Sequence, residues 1–296
     1  MVSEKEKKLI EFKNINYPDN SIIEKHDYFT RDGKHLFYAM FLPEQKQDIG
    51  VVFCSPFAEE KVRTLRIFVS FARVLASMGL SVFCFDYFGD GDSEGDFEEA
   101  SFGDRIEDIK AAVNFFKKEQ ALSKIGLLGL RWGGTLAALA CEILAPKFLI
   151  LWEPIVSSEK YFYDYLRSNI ASQMVIEGKV KMTRNDLIKE LETGGKVTVE
   201  GYVLNGDFYV KARQYNLTER KLNYRGKTLI VQISPNPTNV RPELKKLESS
   251  FSDAEVVMVV KEFEWEKTET WQPAPPQLFN ITIGYLKKYA FLRRDI

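Results

Sequence analysis

Apolar and polar residues alternate in EKHDYFT (24–30) and again in KHLFYAMFLP (34–43), with Arg31-Asp32-Gly33 between them. Alternation of period two around a glycine-containing turn predicts a β-hairpin. The pattern then changes. GVVFCSP (50–56) and LSVFCFD (80–86) are unbroken apolar runs, suited to strands covered on both faces. Between them Val62, Leu65, Val69, Ala72, Leu75 and Ala76 recur at helical spacing over 60–78, and Met78-Gly79 supplies a glycine cap. Phe102, Ile106, Ile109, Val113 and Phe116 mark a second helix over 101–119. A strand at 124–130 (KIGLLGL), a helix over 132–145 and a strand at 147–153 (KFLILWE) continue the series. After Pro154 the rhythm stops. Residues 155–225 are polar and tyrosine-rich, with helical stretches at 158–176 and 184–192 and a short alternating piece, KVTVEGYVL (196–204). The rhythm returns in KTLIVQIS (227–234), a helix near 241–251, AEVVMVV (254–260) and a last helix around 275–292.

Strands alternating with helices predict an α/β fold: a mostly parallel sheet with helices on both faces, preceded here by an N-terminal hairpin. On this reading 1–154 and 226–296 make one core, and 155–225 is an insertion in it. Tyr161, Tyr163, Tyr165, Tyr202, Tyr209 and Tyr215 are expected to pack that insertion onto the sheet. The acid-rich stretch YFGDGDSEGDF (87–97) reads as a loop, and its acids do not fit an EF-hand calcium pattern.

Composition narrows the function classes. With 45% hydrophobic residues, a formal charge of −1 and no basic block, nucleic acid is not the expected partner. No apolar stretch approaches the ~20 residues of a membrane span. The first residues, MVSEKEKKLIEF, lack the apolar centre of a signal peptide. Cys54 and Cys84 fall in strands and Cys141 in a helix, so all three are expected to be small buried hydrophobes in a reduced, cytoplasmic protein. His26 and His35 are the only histidines. They and the scattered cysteines form no ligand set, so neither metal nor cofactor is expected.

The strand at 124–130 runs into Gly129-Leu130-Arg131-Trp132-Gly133-Gly134 and then an apolar helix. That strand–turn–helix is the setting in which G-x-S-x-G presents a nucleophilic serine, and Arg131 stands in the serine's place. Two further motifs keep step with it: Ser55-Pro56-Phe57-Ala58-Glu59-Glu60 after the third strand, and Gly89-Asp90-Gly91-Asp92-Ser93-Glu94-Gly95 after the fourth. Together the three resemble the α/β-hydrolase fold, with Asp90 where many members have histidine. PFAEEK, FGDGDSEGDF, GLRWGG and LWEPIVS are similar, more narrowly, to the exosortase A system-associated "hydrolases" of exopolysaccharide gene clusters. The resemblance implies a helical lid at 155–225, an oxyanion loop at 55–60 and a place in exopolysaccharide biosynthesis. It implies no particular reaction.

Acyl transfer on this fold needs a nucleophile, an acid and a histidine in chain order. Arg131 cannot be acylated as serine is and stays protonated at any working pH. The segment Pro235-Asn236-Pro237-Thr238-Asn239 carries no carboxylate, and 261–275 has no histidine. All three positions have departed together, so Ser-type hydrolysis is not expected. A guanidinium at a helix N-terminus instead makes a forked cationic site. The expectation is a protein, non-catalytic or atypical, that binds a small anionic molecule (carboxylate or phosphate, as on a saccharide or acyl intermediate). Arg131, Trp132, Phe57, Ala58, Glu59 and Glu60 are its candidate ligand-binding residues. Trp132 and Phe57 would wall the site, and Glu59 or Glu60 would pair with Arg131. Two alternatives stand beside this: an ester or thioester hydrolase or acyltransferase with non-standard groups, and a protein-interaction scaffold.

Overall fold

The computed structural model describes residues 21–219, 221–266 and 273–292. Eight strands form one sheet in the order β1-β2-β4-β3-β5-β6-β9-β10. β1 (Ile22–Arg31) and β2 (Lys34–Pro43) are the expected hairpin, in register from Ile22↔Pro43 to Arg31↔Lys34. β2 also pairs antiparallel with β4 (Ser81–Phe85), and every other pairing of this sheet is parallel. β3 (Ile49–Cys54), β5 (Lys124–Leu130) and β6 (Phe148–Trp152) form the centre, and their apolar runs are buried almost without interruption. β9 (Lys227–Ser234) and β10 (Ala254–Val260) complete the sheet.

Helix α1 (Glu59–Ser77) and the last helix, α9 (Pro276–Lys288), cover one face, where Phe71 meets Phe279 at 4.5 Å between ring centroids. α2 (Phe102–Gln120) and α3 (Trp132–Leu144) cover the other, with α8 (Pro242–Glu248) at the far end. Ser101 and Asp104 form a reciprocal capping box at the start of α2. The segment between β6 and β9 folds into α4 (Ser158–Tyr165), α5 (Arg167–Glu177), α6 (Arg184–Glu192), the hairpin β7 (Lys196–Val199) and β8 (Tyr202–Asn205), and α7 (Gly206–Ala212). The single helical pattern expected at 158–176 is two helices, because the chain turns at the fully buried Leu166.

The acidic loop at 87–99 is structural. Ser93 accepts from Phe37 N and donates to Asp86 O, and His35 N donates to Glu94. Buried Lys61 lies 2.7 Å from Asp86 and 3.3 Å from Asp90. Beneath the loop, Asp108 accepts from Phe88 N and pairs with Arg31 at 2.5 Å. Arg105, 2% exposed, lies against the rings of Tyr87, Phe97 and Phe208.

Asn205 ties the segment between β6 and β9 to this loop. Its amide donates to Glu98 O (2.7 Å) and Ala100 O (3.1 Å), while its oxygen caps α7 by accepting from Phe208 N. Asn205→Ala is expected to cost about 1–3 kcal/mol in urea unfolding, because it removes a cap and leaves two carbonyls without their donor. Asn205→Asp, which keeps the cap but sets an acceptor-only carboxylate oxygen against both carbonyls, should be no better than alanine.

Candidate functional site

Two sharp strand-to-helix turns face each other at the carboxyl end of the sheet. At Ala58, between β3 and α1, φ is 50° and ψ −127°. At Arg131, between β5 and α3, φ is 54° and ψ −125°. Neither is a comfortable conformation for a residue with a side chain, so the surrounding packing holds both. The glycines nearby explain the tightness. A Cβ on Gly129 would lie 2.4 Å from Gly133 O, and a Cβ on Gly133 would lie 2.2 Å from Cys54 O. The backbone of Arg131 is fixed from β6 as well: its N–H donates to Trp152 O at 2.9 Å.

Of the two candidate acids, Glu60 meets Arg131. Arg131 Nη2 donates to Glu60 Oε1 at 3.0 Å, and Nε faces both carboxylate oxygens at 3.3 and 3.4 Å. Both side chains are mostly buried, at 16% and 15% exposed. Burial raises the Glu60 carboxyl above its ordinary range, and the neighbouring guanidinium opposes that shift. The Tyr161 hydroxyl lies near the same carboxylate without hydrogen-bond geometry. The rings of Trp265 and Tyr161 flank the guanidinium, with centroids 5.0 and 5.7 Å from its central carbon.

Arg131 opens onto a cavity of about 400 Å³. Its floor is Glu153 to Ser157, and Lys160, Tyr161 and Asp164 of α4 form one wall. Arg241, Glu243 and Glu266 close it elsewhere. Glu153 is 4% exposed and held at φ 45°. It accepts from Ile233 N at 2.7 Å and from Arg241 Nη2. Its charge also reaches Arg131, so Glu60, Arg131, Glu153 and Arg241 alternate in sign along the rim.

The structure brings only part of the expected site together. Arg131 and Glu60 meet as expected. Glu59 lies instead near Arg63, at 3.8 Å, and Arg63 also reaches Glu200 and Trp265 O. Ala58 is fully buried at its turn. Phe57 and Trp132 do not wall the cavity. They are 3% and 1% exposed and pack with Phe162 and Phe208 in the core under the segment between β6 and β9. Among the described residues the aromatic ring lining the cavity is that of Tyr161, while Trp265, 4% exposed, packs on the guanidinium without lining the cavity. Glu153 and Arg241 were also missed, although a carboxylate directly after five buried apolar residues at a strand's carboxyl end is a readable signal.

Neither Cys54 nor Ser55 lines this cavity, whose hydroxyl groups among the described residues are those of Ser157, Tyr161 and Thr218. Burial pushes the Cys54 thiol up to about 12. Ser55 opens onto a separate, largely apolar groove beside α1, lined also by Phe37 and Val69. His26 and His35 are exposed in the hairpin. Among the described residues no group of three or more His, Cys, Asp or Glu is arranged to hold a metal.

A parallel sheet entered through an antiparallel hairpin, with a strained elbow between β5 and the next helix, defines an α/β-hydrolase-fold protein. The chain belongs to the serine aminopeptidase S33 family (Hydrolase_4), whose profile matches residues 42–194. Solved structures agree on the fold. Est1E of Butyrivibrio proteoclasticus with ferulic acid bound is 18% identical and has a TM-score of 0.61, over 90% of this chain and 98% of that one. Proline iminopeptidase of Mycobacterium smegmatis is 10% identical with a TM-score of 0.60, over 90% and 99%. XC6422 of Xanthomonas campestris, a serine hydrolase without a lid, is 15% identical with a TM-score of 0.54, over 96% and 100%. No curated protein matches the chain.

Proposed function

We propose that the cleft over Arg131 binds a small molecule carrying one anionic group, and that Ser-type hydrolysis plays no part. One observation carries this reading: Glu60 engages the Nε/Nη2 edge of the guanidinium, while Nη1 has no hydrogen-bond partner among the described residues. Arg131 is therefore oriented at the N-terminus of α3 with a donor left to offer. Four carboxylates (Glu153, Asp164, Glu243, Glu266) line the cavity against three cations (Arg131, Lys160, Arg241). That balance disfavours a ligand of high negative charge. It suits a single carboxylate or phosphate on a body rich in hydroxyls, as in an acidic saccharide, with Tyr161 offering ring surface. On this reading the segment between β6 and β9 acts as the lid, because α4 supplies one wall.

The test is a thermal-shift and calorimetric panel of glucuronate, galacturonate, inorganic phosphate and neutral glucose. At least one anion should raise the unfolding midpoint, and glucose should not. Arg131→Met/Glu60→Leu leaves neither partner unpaired, so the doubly substituted chain should fold. Its affinity for that anion should fall about ten- to a hundredfold, the value of a charge-assisted hydrogen bond. Unchanged affinity in that variant would refute the proposal. A fluorophosphonate probe should leave the wild-type protein unlabelled. Labelling that survives denaturation would favour ester or thioester hydrolysis instead.

A further inference from the structure

The outer end of the segment between β6 and β9 has a face that nothing in the cleft explains. α5 turns Asn169, Ile170 and Gln173 inward: Asn169 donates to Thr198 O, Gln173 donates to Met182 O, and Ile170 packs on the core. Arg167, Ala171, Met174, Val175 and Gly178 therefore share the opposite stripe, at spacings of four, three, one and three, and all five are exposed. Met174 is 52% and Val175 86% exposed. Val180 and Tyr163 lie exposed close by in sequence. Of the ten large apolar side chains exposed among the described residues, these four fall within 163–180. Such a concentration marks an interaction surface rather than chance exposure.

The charge around this stripe identifies its partner. Residues 167–184 hold Arg167, Lys179, Lys181 and Arg184 against Glu177 alone, a net charge of +3 in a chain whose total is −1. Arg184 stacks on Tyr163 at 4.1 Å, and both line a shallow depression with Arg167, Ile170 and Val180. Two guanidiniums at the edge of a depression suit a phosphate. Aliphatic side chains beside them suit the acyl boundary just beneath it. A helix of 11 residues, about 16 Å long, fits lying in the plane of a membrane surface rather than crossing it.

We propose that this face, α5 with the turn to α6, docks on an anionic phospholipid surface. Met174, Val175 and Val180 insert beside the headgroups, and Arg167, Lys179, Lys181 and Arg184 meet the phosphates. The proposal is independent of what the cleft binds. Because α5 follows α4 directly, docking would place the cleft wall formed by Lys160, Tyr161 and Asp164 next to the membrane surface.

Vesicle sedimentation with the full chain tests it. Vesicles of phosphatidylglycerol and phosphatidylcholine in equal parts should carry the protein down, and phosphatidylcholine alone should carry far less. Lys179→Glu/Lys181→Glu should lower the partition coefficient about tenfold or more, and raised salt should do the same to the wild type. Met174→Asp/Val175→Asp should abolish binding while leaving the unfolding midpoint unchanged, since both side chains already face solvent. The proposal is overturned if anionic vesicles retain no wild-type protein, or if the apolar pair can be replaced without effect on binding. It is equally overturned if sedimentation velocity shows that the stripe instead pairs two copies of this chain and that the same variants dissolve the pair.

Discussion

Arg131→Ala should lower the free energy of unfolding by about 3–5 kcal/mol at neutral pH, the usual cost of leaving one partner of a buried ion pair behind. The turn itself gives nothing back, because alanine at φ 54° is as strained as arginine. The loss should depend on pH in a definite direction. Burial already raises the Glu60 carboxyl, and without the guanidinium nothing opposes that rise. A carboxylate whose folded pKa lies above its unfolded value destabilises the fold as pH climbs past the unfolded value, about 4.3. The destabilisation grows until the pH passes the folded value. The gap between Arg131→Ala and wild type should therefore be widest at pH 7–8 and narrow as the solution is acidified towards about pH 5. Urea unfolding across that range measures it. A gap that stays constant would mean that Glu60 finds another cation or that only packing was lost.

The second large effect is expected at Asp108, far from the cleft. Its side chain is completely buried, pairs with Arg31, accepts from Phe88 N and neighbours Arg105. Asp108→Ala leaves Arg105, 2% exposed, without its neighbouring charge and the Phe88 N–H without its acceptor, and it reduces buried Arg31 to its pairing with Asp104 and Asp32. A loss of about 3–5 kcal/mol is expected, which for a domain of this size lowers the melting midpoint by roughly 10 °C. Asp108→Asn keeps an acceptor for Phe88 N but not the charge, so it should fall between the two. Asp104→Ala should cost less, because Asp104 is partly exposed and Arg31 would keep Asp108. If Asp104→Ala and Asp108→Ala proved equally damaging, the burial argument would be wrong.

Much of the fold was legible because buried parallel strands leave a plain mark. β5, β9 and β10 occupy the expected residues, since each is an apolar run bounded by charge or a turn, while the antiparallel β2 was legible from its alternation instead. The elbow was legible for a similar reason: close backbone approach demands glycine at 129 and 133, whatever side chain sits between them. The cleft was only half legible. Glu59 and Glu60 are adjacent, and adjacent helical residues point about 100° apart, so only the phase of α1 decides which one reaches Arg131. The same rotation at the start of α3 sends Trp132 into the core while Arg131 faces the cavity. Tyr161 and Arg241 line the cleft and Trp265 packs on the Arg131 guanidinium, all from distant parts of the chain, and no local pattern announces a meeting of that kind. The pairing of Glu153 with Arg241 likewise depends on neighbouring strands, β6 and β9, separated by a long segment.

Glu60, Arg131, Glu153 and Arg241 follow β3, β5, β6 and β9 respectively, so the arginine at the elbow is one member of a chain of mutual dependence. Replacing it by serine would leave Glu60 without its counter-ion, and neither histidine lines the cleft to serve a hydroxyl placed there. Four strand ends are thus clasped to one another by charge, and such a clasp tolerates paired substitutions better than single ones.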